Sequence, residues 1–473
     1  MNITPDVYEA HRVLSKCSAA FLDFIRENPS SLERSNYKDV VSNFFGYIKF
    51  HPWPTFIDEK AREMFDTAAV EVFKLIASIP ERLFAFDQEK IMEYYRYSKN
   101  DVKRMMRGIR EISLPDLLSR ADFIFSPSAG LKCLEYNIVS DIGGGWQADA
   151  LEPFYFKNPI LARFLKEYNA KFSRIGFSES LLNHVLDRAL THSPLGQNDE
   201  INVAVVLPKF DTTDKGIVEV ISNLKKLYRE ILKQKAEYLK GEIILTDFSQ
   251  LDLMSDQVIY NMHGENKKIH VIVEKCNGMV PAPLMNIVER GNVLLFNGPI
   301  GQLLSNKLNL ALLSEHEDSN LFSTEERKTI KKYIPWTRKV TADLEDYIIE
   351  HREDLVLKPG DGFGGYGVYL GRNTLHDKWK QFVSIARMDK NWVVQEYIPS
   401  YSYLYQEGEY GAVEHYIVWG IFVFGSGECG GVTRVLPVNN NKGVINASQG
   451  ALFNVILDVA EVYSEREKGI KYS

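Results

Sequence analysis

Apolar positions recur at helical spacing in VLSKCSAAFLDFI and again in AREMFDTAAVEVFKLIASI, so residues 1–115 read as a mostly helical segment. Near residue 120 the period changes. ADFIFSPSAGLKCLEYNIV holds two short apolar runs joined by Ser-Pro-Ser-Ala-Gly, a turn composition, and predicts a hairpin. From about 200 the pattern runs strand (INVAVVL), loop (PKFDTTDKG) and long helix (IVEVISNLKKLYREILKQKAEYLK). Strands EIILTD, HVIVEK and VLLFN follow, which predicts a small α/β layer with a parallel sheet. NKLNLALLSEH and STEERKTIKKYI read as helices, the second with Ser323 and Glu326 at capping-box spacing. DLVLKP, GVYLG, NWVVQEYI, HYIVWGIFVFG and GGVTRVLPV read as strands of a mostly antiparallel sheet that closes on a C-terminal helix over ALFNVILDVAEVYSERE. The expected division is a helical segment over 1–115, a hairpin with following helices over 116–195, an α/β domain over 196–299 and a sheet-rich unit over 300–473.

The chain has 473 residues, 45% of them hydrophobic, enough for several units with proper cores. Its formal net charge of −7 supplies no sequence-wide basis for binding nucleic acid or an anionic membrane. The four cysteines are too far apart for a C-x-x-C pair or a thiolate zinc site. The first residues lack the basic start and apolar run of a secretory signal, and the longest apolar run, YIVWGIFVFG, is about half the ~20 residues that cross a bilayer. A cytoplasmic protein with no nucleic-acid and no membrane partner is the expectation.

The densest chemistry lies in VLKPGDGFGGYGVYLG, residues 356–371, where Gly360, Gly362, Gly364, Gly365 and Gly367 stand between two strand-like runs entered through Lys358. Glycines without Cβ let backbone N–H groups close over phosphate oxygens, and a lysine at the end of the preceding strand adds a point charge. An ordinary glycine-rich hairpin is the alternative. Three other nucleotide motifs are excluded. No Gly-Lys-Ser/Thr occurs, and the G-x-G-x-x-G of 362–367 leads into a strand rather than a helix. The lysine precedes the loop instead of following it as in a protein kinase, and neither H-R-D-x-x-x-x-N nor D-F-G is present. A lid with its lysine in front remains.

That arrangement resembles the ATP-grasp superfamily, whose strand lysine and following glycine hairpin hold the ATP phosphates. The resemblance implies phosphate contacts from Lys358, Gly362, Phe363, Gly364, Gly365 and Gly367. It also implies an adenine hinge at Gln395, Glu396, Tyr397 and Ile398 in VVQEYIP. ATP chemistry needs a hard divalent cation with oxygen ligands. On the predicted hairpin Glu135 and Asn137 share one face, with Tyr136 pointing away and Asp122 beside them. Taken alone, E-x-N is the ordinary wet face of a hairpin. Together, Arg120-x-Asp122, a glycine turn and Glu135-x-Asn137 match the ATP-grasp metal segment. Here that segment precedes Lys358, the reverse of the usual order and the order of circularly permuted ATP-grasp proteins such as the ligase domain of glutathionylspermidine synthase.

Further resemblance lies in LLFNGPIGQLLSNKLNLALL, with Asn306-Lys307 opening a helix, in YIPWTRKV, and in GGVTRVLPVNNNKGVINASQGA. The match covers roughly 117–145 and 290–451, with a weaker likeness of the α/β segment to the Rossmann-like domain that precedes the nucleotide fold. It implies an α/β, circularly permuted ATP-grasp fold that uses ATP and two Mg²⁺ ions, held by Asp122, Glu135 and Asn137. Arg434, Lys358 and Arg120 are the implied catalytic cations, with a sheet-edge salt bridge as the alternative for Arg434. Either Arg338 or Lys339 is the implied second ATP-contacting cation, and the resemblance does not choose between them. The expected activity is ATP-dependent ligation of a small-molecule or peptide carboxylate to an amine through an acyl phosphate. A small-molecule phosphotransferase and a catalytically silent nucleotide-binding protein are the alternatives. The chain departs from glutathionylspermidine synthases after E-x-N, where Ile138-Val139-Ser140-Asp141-Ile142-Gly143-Gly144-Gly145 replaces an Asp-Thr-Pro-like turn, so polyamine specificity is not implied.

Other chemistry is poorer: no H-E-x-x-H and no G-x-S-x-G elbow occur. Cys133 reads as a core thiol. Asp211-Thr212-Thr213-Asp214-Lys215-Gly216, at a strand–loop–helix junction, is a candidate for holding a substrate carboxylate.

Overall fold

A computed structural model describes residues 4–28, 50–51, 53–109, 114–140, 142–192, 200–208, 215–235, 237–254, 256–406, 412–425, 427–440 and 443–459. In chain order the strands are β1 (Thr55–Ile57), β2 (Leu118–Ser126), β3 (Gly130–Asn137), β4 (Phe172–Ser173), β5 (Val203–Val206), β6 (Ile243–Thr246), β7 (Leu251–Met254), β8 (Gln257–Met262), β9 (Glu265–Ile269), β10 (Val271–Glu274) and β11 (Leu294–Phe296). They continue with β12 (Thr337–Lys339), β13 (Leu355–Pro359), β14 (Tyr369–Leu370), β15 (Trp392–Glu396), β16 (Ser402–Gln406), β17 (Ala412–Phe424), β18 (Gly427–Pro437) and β19 (Leu452–Val459). The chain is a mixed α/β protein. Among the described residues no helix is long and apolar enough to cross a membrane.

An eight-stranded sheet carries the order β1-β19-β18-β17-β2-β3, with β16 joining β17 and β4 joining β19. All its pairs are antiparallel except β1 with β19. The hairpin expected near 120 is β2–β3, and its turn glycine, Gly130, has the positive φ of 66° that favours glycine. The helix Glu59–Arg82, capped by Asp58 accepting from the Ala61 N–H at 2.9 Å, buries its apolar face on one side of this sheet. Phe65 stacks on Trp419 with centroids 4.6 Å apart, and the Tyr136 hydroxyl donates to the Ala69 carbonyl at 2.8 Å. That face is dry, so the polar residues of alternate parity on β2, β3, β17 and β18 face the other way.

A second sheet, β12-β15-β13-β14, is antiparallel. Leu355, Leu357 and Val394 pack beneath it against Trp379, Val383 and Ala386 of the helix His376–Asp389, leaving Val356, Lys358 and Gln395 on the opposite side. The α/β layer is a four-stranded parallel sheet, β11-β10-β5-β6, as its continuous apolar runs predict. A small antiparallel sheet, β7-β8-β9, is added to it and has no counterpart in the sequence reading.

Two expectations change. The strands after 350 form two sheets rather than one. Residues 452–459 are a strand, not a helix: β19 lies inside the sheet between β18 and β1 with helices packed on its faces, so it carries the apolar run that periodicity cannot tell from a buried helix. The loop 211–214 of the candidate carboxylate site lies outside the described residues, as does the chain beyond 459.

Candidate functional site

The two sheets face one another across a cleft. From the large sheet come Asp122, Ile124, Leu134, Glu135, Val418 and Arg434; from the second come Val356, Lys358 and the run Gln395–Ile398. Gly365, Val368 and the segment 443–446 close the mouth.

Register explains how the charged groups meet. Asp122 lies opposite Glu135 on β3, while Phe123 lies opposite Cys133, so one extra residue is accommodated and both Leu134 and Glu135 reach the cleft. On the other side of β2, Asp122 faces Gly420 of β17, and Arg434 of β18 faces Val418, two residues away. Arg434 therefore crosses over Gly420 to Asp122, with Nη2 2.7 Å from Oδ1. A Cβ at Gly420 would stand 2.9 Å from Arg120 Cδ and 3.3 Å from Asp122 Oδ1, so this strand glycine keeps the crossing open. Arg120 binds both oxygens of Asp122, at 2.7 and 3.0 Å, and donates to the Gly143 carbonyl at 2.6 Å. Burial would raise the Asp122 carboxyl, but Arg120 and Arg434 outweigh it and hold it below the usual carboxylate range.

Arg434 is 7% exposed, and its Nε meets no acceptor among the described residues. A buried guanidinium donor without a partner is costly unless an anion completes it. Facing it, Lys358 donates to Gln395 Oε1 at 2.5 Å and to the Leu134 carbonyl at 3.2 Å. Gln395 is oriented for this by Thr337, which accepts from its Nε2 at 3.0 Å. Burial brings the Lys358 ammonium down to about 8, against the opposing pull of Glu135.

The deeper wall is apolar, formed by Ile124, Val418 and Ile398 with Leu134 and Ile445. At its rim the N–H groups of Glu396 and Tyr397 are taken by the carbonyls of Trp336 (2.9 Å) and Asp354 (2.7 Å). The Ile398 N–H has no partner among the described residues. Tyr397 lies under the Arg372 guanidinium, 3.7 Å from its centroid. An apolar slot with an open backbone donor at one end and cations at the other suits a flat heterocycle joined to an anionic chain.

The lid joins β13 to β14. Gly364, Gly365 and Gly367 take φ of 65°, 73° and 72°, conformations that L residues with side chains rarely adopt. Gly365 packs so closely on Val444 and Asn446 that a Cβ would stand 2.9 and 3.2 Å from them, and the Ser448 hydroxyl donates to the Gly364 carbonyl. Phe363, at the tip, is 80% exposed, and Gly362 contributes its carbonyl to Lys307.

Asn137 donates from Nδ2 to Asp122 Oδ2 at 3.3 Å, and Glu135 pairs with Lys307 at 3.1 Å. Two carboxylates and an amide are hard oxygen donors in the number that Mg²⁺ takes from a protein when phosphates complete its shell. The donor set fits. Among the described residues no group of three His, Cys, Asp or Glu side chains forms a self-sufficient metal cage. Neither Arg338 nor Lys339 is among the residues that line the cleft. Arg338 points to the face of β12 opposite Lys358, onto Ser314 at 2.7 Å and the Trp336 ring, while Lys339 shares the face of Lys358 across β15 and donates to the Tyr94 carbonyl. Cys133 is a buried thiol pushed up by burial.

The sequence reading assigned no role to Gly420, whose isolated place in an apolar strand is the usual mark of a close approach. It also left Lys307 without one, although that residue ties the lid to Glu135.

No family model matches the chain. A curated protein of Synechocystis sp. (strain ATCC 27184 / PCC 6803 / Kazusa), the uncharacterized protein sll0335, is 26% identical over 176 residues, 35% of this chain and 35% of that protein. The chain thus matches about a third of that relative's length. Among solved structures, a candidate gamma-glutamylcysteine synthetase from Methylobacillus flagellatus KT is 11% identical with a TM-score of 0.40, over 80% of this chain and 86% of that one. Neither likeness assigns a family, and the functional reading rests on the cleft itself.

Proposed function

We propose that the cleft binds ATP and that the protein is a carboxylate–amine ligase built as a circularly permuted ATP-grasp unit, with the α/β layer as its Rossmann-like preceding domain. The observation that carries this is the convergence, from opposite sheets, of Lys358 under a glycine lid and of Arg434, with its unpartnered Nε, beside Asp122 and Glu135. Adenine fits the apolar slot against Ile398, and the triphosphate extends toward Lys358 and Arg434. Magnesium on Asp122, Glu135 and Asn137 would neutralise phosphate charge. No step draws on Arg338 or Lys339.

The carboxylate of the first substrate attacks the γ-phosphorus, the bond to the β–γ bridging oxygen breaks, and ADP leaves. The amine nitrogen then attacks the acyl carbon, loses a proton, and phosphate departs with one former carboxylate oxygen. Substrate carboxylate and triphosphate repel, so the chain's own work is alignment and charge neutralisation. Lys358 holds phosphate from one sheet, while Arg434 and Arg120 meet developing negative charge from the other. The lid excludes water from the acyl phosphate.

The test is ADP release over a library of amino acids and amines, followed by ¹⁸O-labelled carboxylate. Label in the released phosphate is expected. Phosphorylated product without ligation would establish the phosphotransferase instead. Glu135→Ala and Lys358→Ala should each lower turnover by about 10²-fold or more with the fold intact, and full activity in either overturns the site.

A further inference from the structure

Lys307 is a buried cation that neither sheet contributes and that the reaction described above leaves without a role. It follows Asn306 at the start of the helix Leu308–Glu315 and is 5% exposed. Its ammonium pairs with Glu135 Oε1 at 3.1 Å and donates to the Gly362 carbonyl in the lid, and its own N–H donates to the Gly360 carbonyl at 3.0 Å. One side chain therefore joins the β3 carboxylate to the glycine loop. The loop's entrance is anchored separately. Asn306 donates to Asp361 Oδ1 at 2.7 Å, Asn391 donates to Asp361 Oδ2 at 2.6 Å, and the Tyr97 hydroxyl donates to the same carboxylate. Beyond Asp361 the lid is held at Gly362 by Lys307, which ties it to β3, and at Gly364 by Ser448, from the connection between β18 and β19.

We infer that Lys307 is a positioning residue that clasps the lid to Glu135 and lets go when a divalent cation takes that carboxylate. An ammonium and a metal ion compete for the same oxygen, and the loser is left as a buried charge in search of an anion. Cation occupancy of Glu135 and freedom of the lid are then linked reciprocally, each favouring the other. A triphosphate arriving beside Lys358 supplies the anion that re-engages Lys307 and closes the lid over nucleotide. This rests on the reading of Glu135 as a metal ligand.

The test uses the full chain and Mn²⁺ as the metal probe, with hydrogen exchange of residues 360–368 followed by mass spectrometry without nucleotide. Mn²⁺ is expected to speed lid exchange in the unmodified protein by roughly tenfold. Lys307→Met should exchange fast with or without Mn²⁺ and bind Mn²⁺ roughly tenfold more tightly, while Lys307→Arg, which keeps the charge, stays near the unmodified protein. Equal Mn²⁺ affinity for the unmodified protein and Lys307→Met, with no binding in either counted as equal, overturns the inference. So does lid exchange in the unmodified protein that ignores Mn²⁺, a measurement that needs no variant to fold. Calorimetry with a non-hydrolysable ATP analogue is read separately: a chain that binds none defeats the ligase reading whatever the lid does.

Discussion

Lys358 carries a proton that burial has loosened to about pH 8, in a place where a triphosphate would hold it fast. Nucleotide binding should therefore take up a proton above about pH 8 and weaken as pH climbs further, by up to about tenfold per unit. Calorimetry in buffers of different ionisation enthalpy measures that uptake directly, and none at pH 9 would contradict the assignment. Without nucleotide the slope reverses. Between about pH 8 and the ordinary lysine value of 10.5, the unfolded chain keeps a proton that the folded one has shed, so this residue's contribution to stability rises with pH. Lys358→Met should accordingly melt no lower than the unmodified protein at pH 7 while losing nucleotide affinity. Gly420→Ala tests the opposite wall: its methyl forces Arg120 aside, and turnover should fall roughly tenfold for a stability loss of about 1 kcal/mol, read by steady-state kinetics beside a thermal melt. At this scale the motifs disclosed the residues whose neighbours are close in sequence, such as Lys358 before its glycines or Glu135 beside Asn137. Arg338 shows the limit, because nothing in TRK tells which way an edge strand turns its cations. Lys307 shows it too, since both its partners lie more than fifty residues away.

Single elements were legible wherever local rules dominate. The capping box foreseen at Ser323 and Glu326 forms reciprocally, with the Glu326 N–H donating to Ser323 Oγ at 3.2 Å and the Ser323 N–H donating to Glu326 Oε2 at 2.7 Å. Ser323→Ala should cost about 1 kcal/mol in a denaturant titration, and a change near zero would mean that tertiary packing alone holds that helix. The β2–β3 turn and the parallel α/β strands were readable for the same reason. β19 was not, because the helices Glu59–Arg82 and Gly145–Phe156 pack on its faces and erase the alternation that marks a strand. β7 to β9 escaped notice because most of their residues are exposed and carry little apolar pattern. Nor does spacing reveal the extra residue in β3, yet that irregularity brings Leu134 and Glu135 together into the cleft.

For the molecule as a whole, the described part of the first hundred residues is bound into the main core. β1 pairs with β19, the helices Lys16–Glu27 and Glu59–Arg82 cover the dry face of the large sheet, and Arg62 reaches Asp458 with Nε 2.7 Å from Oδ1. A chain started at residue 116 should therefore bind a hydrophobic dye and lack a cooperative melt, where the full chain gives one transition; a sharp melt of the fragment would show that the segment is dispensable. Composition changes near 120, but composition does not report which surfaces adhere.

The pairing of β2 with β17 has a consequence for synthesis. Asp122 leaves the ribosome about three hundred residues ahead of Gly420, its partner across the sheet, so one edge of β2 has to wait uncovered while most of the protein is still being made. A product released before β17 emerges would contain every carboxylate of the site, together with Lys358 and its lid, but not Arg434, and its open apolar strands would invite aggregation. Chaperone demand during translation, rather than finished stability, is where such a topology exacts its toll.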